Sequence, residues 1–173
     1  MMYMKRTVLK FGLMSGAIVS LLMLVFTVIG YENIGFDQSM YLGFGSMILA
    51  FSLVFVGIRS YRGQQPGQKL SFGKAFLVGI LISLICSACY VITWMFVNHY
   101  CYPDFMQQYA AYYIEKQRAA GVSGAALEQV IAQMKEYEEC YKNPLYVAGM
   151  TFVEIFPVGV VVSLFSALVL KRK

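Results

Sequence analysis

Glu154 is the only formally charged side chain deep inside an apolar run of this chain, and Pro157 stands three residues after it. An acid and a helix breaker in one apolar segment suit either of two jobs in a bilayer. They can bind a proton or cation, or they can bond to a neighbouring helix. At 1.5 Å per residue, Glu154 lies roughly 13 Å from Leu145, near the middle of a hydrocarbon layer about 30 Å thick. The acid is expected there as a hydrogen-bond donor. Pro157 has no N–H, so it leaves the Val153 carbonyl without its helical donor and favours a kink. Comparable depth on the other apolar runs falls near Tyr90 and Ser20, the polar groups expected to meet Glu154.

The four cysteines offer less. Cys101 and Cys140 bracket a polar stretch and read as a disulfide closing a loop of about 40 residues, which on the chain-entropy model stabilises by roughly 4 kcal/mol. Cys86 and Cys89 share one helix face and read as small buried thiols. Two sulfurs with a distant His99 are too few for a zinc site, so no metal is expected. Gly67 to Lys74 has five residues between its glycines and Ala75 where a phosphate loop needs Ser or Thr. Ser71 and Lys74 have acylase spacing without its companion motifs. No nucleophile, base and orienting group come together, so the sequence reads as neither an enzyme nor a cofactor binder.

These side chains must be positioned by helices. Apolar residues make up 59% of the 173 and charged residues 13%, and the apolar ones are blocked into runs at 8–30, 40–58, 75–97 and 145–170. Each is near the length that spans a bilayer, where only helices satisfy their own backbone. The fold class is therefore all-α, a four-span membrane domain over 1–173 with an insert at 98–144. Ten of the fourteen Lys and Arg flank the runs on one side (Lys5, Arg6, Lys10, Arg59, Arg62, Lys69, Lys74 and Lys171 to Lys173), while eight of the nine acids lie in the other two connections. Such a bias places both termini in the cytoplasm and the insert outside. The same cations are accounted for by topology and anionic lipid, so nucleic acid is not an expected partner.

Within the first span, Gly12 and Gly16 form a ridge that lets another helix approach, within the chain or in another copy. Tyr31 and Tyr41 read as headgroup anchors around a short loop carrying Glu32 and Asp37. The insert reads as two helices. Pro103 and Asp104 open the first and Gly121 ends it; Ser123 caps the second, whose apolar stripe runs through Leu127, Val130, Ile131, Met134, Tyr137 and Tyr141. The two stripes can face each other as a helical hairpin.

Four strings have a wider likeness: SMILAFSLVFVGIRSYR from Ser46, SFGKAFLVGILISLI from Ser71, YPDFMQQYA from Tyr102, and YKNPLYVAGMTFVEIFPVGVVVSLFSALVLKRK from Tyr141. In that order they resemble a family of small bacterial inner-membrane proteins, domain of unknown function 4199. The resemblance implies four spans with an outer helical insert and no established activity. The four cysteines are not part of its pattern. Function is left between a non-catalytic protein that associates with itself or with a membrane partner, and a proton or cation transporter or channel component that uses Glu154.

Overall fold

The computed structural model describes residues 2–30 and 35–171. Tyr31 and Glu32 of the first short connection, and Arg172 and Lys173 of the basic end, lie outside the described residues. Among those described there are six α-helices and no strand: α1 (Met2–Gly30), α2 (Phe36–Gly63), α3 (Phe72–Tyr100), α4 (Phe105–Ala119), α5 (Ala125–Tyr141) and α6 (Pro144–Leu170). Four of them, α1, α2, α3 and α6, are long and apolar enough to cross a membrane. Their large side chains also face outward in numbers that water would penalise: Leu21, Ile48, Ile92 and Phe165 are each more than 60% exposed. A bilayer is the solvent that suits such a surface. α1 begins at Met2 and α2 runs on to Gly63, each several residues past its apolar segment, where Met, Lys and Arg are good helix formers.

The chain divides into two compact units, residues 1–93 with 152–173, and residues 94–151. In the first, α1, α2, α3 and most of α6 share one core of buried side chains, among them Phe51, Met47, Ile58, Ile82, Val19 and Ile155. The helices meet closely where glycine removes the side chain. A Cβ on Gly12 would lie 2.8 Å from Ile85 Cβ, and one on Gly16 would lie 2.7 Å from Cys89 Sγ, so the Gly12/Gly16 ridge of α1 is filled by α3. At the basic end, Arg62 of α2 donates from Nη1 to the Leu170 carbonyl at 3.3 Å, giving the last turn of α6 a cation where its dipole is negative.

In the second unit, α4 and α5 pack against each other. Met106 and Ala110 of α4 and Met134 of α5 are its buried side chains on these helices. Phe105, Tyr109 and Tyr113 stack at four-residue steps, with centroids 6.3 and 6.2 Å apart. The Trp94 ring meets Phe105 edge-on at 4.8 Å, and its Nε1–H donates to Tyr141 Oη at 3.1 Å. Gly121, at φ +86°, ends α4 by letting Gly121 N–H reach the Arg118 carbonyl and Val122 N–H reach that of Gln117. Ser123 does not cap α5. Gly124 holds that position at φ +60°, a conformation a side chain resists, and no side chain bonds the helix start.

Candidate functional site

The register of α6 decides what its polar residues can do. Each helical residue turns about 100° from the last. Ile155, Gly159, Ser163 and Ala167, at four-residue steps, are buried, as is Ser166. Glu154, Pro157, Val161, Leu164 and Leu168, at alternating three- and four-residue steps, are exposed. Ile155 is 0% exposed, so its neighbour Glu154 is turned away from the core.

The buried side of α6 is a seam of small residues against α3. A Cβ on Gly79 of α3 would lie 2.8 Å from Ser163 Cβ, and one on Gly159 of α6 would lie 2.7 Å from Ser83 Cβ and 2.9 Å from the Phe51 ring of α2. Ser83 Oγ lies 3.2 Å from the Gly159 carbonyl and 3.1 Å from Ser163 Oγ. Ser83 has one proton, so when it goes to the carbonyl, Ser163 donates to Ser83. Ser87 and Ser166, four and three residues further along the same two helices, are also buried, and their oxygens have no hydrogen-bond partner among the described residues. The spacings Gly79-x-x-x-Ser83 and Gly159-x-x-x-Ser163 are the same small-residue steps as Gly12-x-x-x-Gly16, which is the sequence signal that would have revealed them.

The outward side has no such satisfaction. Among the described residues, Glu154 has no hydrogen-bond partner, so neither Tyr90 nor Ser20 bonds to it. Tyr90 is half-buried beside the core. Thr93 Oγ1 lies 2.8 Å from Ser20 Oγ and 2.8 Å from the Cys89 carbonyl, and its one proton is donated to one or the other of these acceptors. Ser20, Cys89 and Thr93 border a shallow groove of about 460 Å³ between α1 and α3, lined also by Leu13, Gly16, Ala17 and Ile92. The expected partners failed because depth in the bilayer fixes only height along a helix, and rotation about the axis sets the neighbour. α6 continues as a helix through Pro157. Val153 and Pro157 are both exposed, so the carbonyl that Pro157 deprives of a donor lies beside the acid on the outward face.

Cys101 and Cys140 are not a disulfide. Both are free, Cys101 exposed at the end of α3 with its N–H bonded to the Val97 carbonyl, and Cys140 half-buried near the end of α5. Bracketing a segment in sequence does not aim two thiols at each other. Cys86 is buried in the core, and Cys89 is half-buried against the Gly16 backbone. Among the described residues no three His, Cys, Asp or Glu side chains stand together as a metal-binding group.

The match to known proteins covers nearly all of this architecture. A family model described as a protein of unknown function, DUF4199, matches residues 10–172. The chain belongs to this family. No curated protein and no solved structure matches it. For this DUF4199 chain the site must therefore be read from its own geometry, and that geometry separates a close-packed seam inside the bundle, bonded at Ser83 and Ser163, from an acid and the carbonyl that Pro157 deprives of a donor outside it.

Proposed function

We propose that this protein is a non-catalytic membrane protein that acts by association within the bilayer, through the outward face of α6. Glu154 carries this reading. It is an acid in an apolar span, turned away from its own bundle and unpartnered among the described residues. A polar group against lipid tails is costly, and ionisable residues in spans face protein or a wet cavity. A helix laid on this face would shield both Glu154 and the Val153 carbonyl. The reading takes the protein to the bacterial inner membrane with both termini cytoplasmic and α4–α5 as an outer hairpin, supported by the Lys/Arg asymmetry. It requires no metal and no cofactor.

A photo-crosslinking residue in place of Leu164 tests association in native membranes. Adducts with protein are expected; adducts with lipid alone would overturn the reading. The orientation is tested at Cys101, whose exposed thiol should react with a membrane-impermeant maleimide in intact spheroplasts when Cys86, Cys89 and Cys140 are serine. Reaction only after permeabilisation would reverse the topology.

The carbonyl beside the acid also favours a second reading, in which assembled copies pass a proton or cation at Glu154. Liposome flux by native protein and Glu154→Gln, at matched insertion, separates the two. Flux that needs Glu154 would put transport first. Flux absent from both leaves association standing.

A further inference from the structure

Glu154, Val161 and Leu168 are spaced by seven residues, with Pro157 and Leu164 three residues after the first two, and all five are exposed. This is a heptad seam, the pattern that lets one helix lie along another with a shallow left-handed crossing. The buried face of α6 instead repeats every four residues, through Ile155, Gly159, Ser163 and Ala167. The outward seam is thus a second helix-packing surface that no helix of this unit occupies.

We propose that this seam binds α6 of a second copy of the chain, with the two Glu154 carboxyls hydrogen-bonded to each other across a two-fold axis. Three observations favour this occupant. Copies inserted in one membrane share an orientation, so a two-fold axis along the membrane normal sets each seam residue beside itself. A neutral carboxyl is self-complementary, since it donates through O–H and accepts through C=O. The four apolar runs contain one Lys or Arg, Lys10 at the very start of 8–30, so this chain offers its acid no cation near the middle of the bilayer to pair with instead. The inference rests on the association reading above and names its partner.

The test uses purified full-length protein in liposomes, where no other protein is present. A photo-crosslinking residue at Val161, which is exposed and so leaves the core unchanged, should give a covalent product of twice the chain mass. Energy transfer between labelled copies, followed as lipid dilutes them, should show Glu154→Leu dimerising roughly 3- to 30-fold more weakly than native, and Glu154→Gln close to native, because an amide also donates and accepts. Lipid adducts alone at Val161 would overturn the self-pairing, and protein adducts at Leu164 in native membranes would still leave association with another partner intact. A dimer whose strength ignores Glu154→Leu would overturn the carboxyl contact. Lipid adducts alone in both preparations would overturn this inference and the association reading together.

Discussion

The two faces of α6 are built from the same span and solve opposite problems. On the inner face, Gly159 and Ser163 bring α6 so close to α3 that a methyl group would collide, and the hydroxyls exchange hydrogen bonds within the chain. On the outer face, Glu154 reaches away from the bundle and the wall is made of large aliphatic side chains. In lipid, apolar residues gain little by leaving the surroundings, so hydrophobicity does not say which face is internal. Small side chains that let the helices touch do.

That contrast can be broken by substitution. Gly159→Ala should cost about 1–3 kcal/mol by overpacking against Ser83 and Phe51. A reversible unfolding titration in bicelles would measure it, and an unchanged midpoint would mean the close approach of α3 and α6 is wrong. Ser83→Ala should cost about 0.6 and at most roughly 1.7 kcal/mol, the range for hydrogen bonds between membrane helices. A loss several times larger would mark Ser83 as more than packing. Gly149→Ala, on the same helix but with nothing within 4 Å of the new methyl group, should change sign and stabilise by roughly 0.5–1 kcal/mol through helix propensity. Glu154→Leu should leave the monomer within about 0.5 kcal/mol of native in detergent, since the acid has no partner in its own chain. A destabilised monomer would show that Glu154 bonds inside the bundle.

The spans were legible in the residues because a bilayer forces backbone hydrogen bonding into unbroken apolar helices, and the runs at 8–30, 40–58, 75–97 and 145–170 carry that demand openly. The C-terminal end of α4 was legible too, since Gly121 has a conformation that few other residues accept, whereas the helix begins only at Phe105, after Pro103 and Asp104. The α5 cap was misread because Ser123 and Gly124 are neighbours, and backbone geometry chose the glycine. The rotation of α6 was not legible. Its residues are apolar on nearly every side, so no amphipathic stripe distinguishes the core face, whereas α5 announces its own through Val130, Met134 and Tyr137. Glu154 was found by its charge, but its neighbours depend on which face α3 takes. The disulfide failed for a related reason: sequence separation sets the size of a loop and says nothing of the direction of its thiols.

The Trp94 indole, held by Tyr141 and Phe105, makes the protein its own local spectrometer. It is the only tryptophan in the chain and belongs to the unit of residues 94–151. Emission excited at the red edge of protein absorption therefore comes from that unit alone, while circular dichroism counts every helix. An unfolding curve followed by both signals will coincide only where the two units melt together, and any separation between the curves measures how independently they hold.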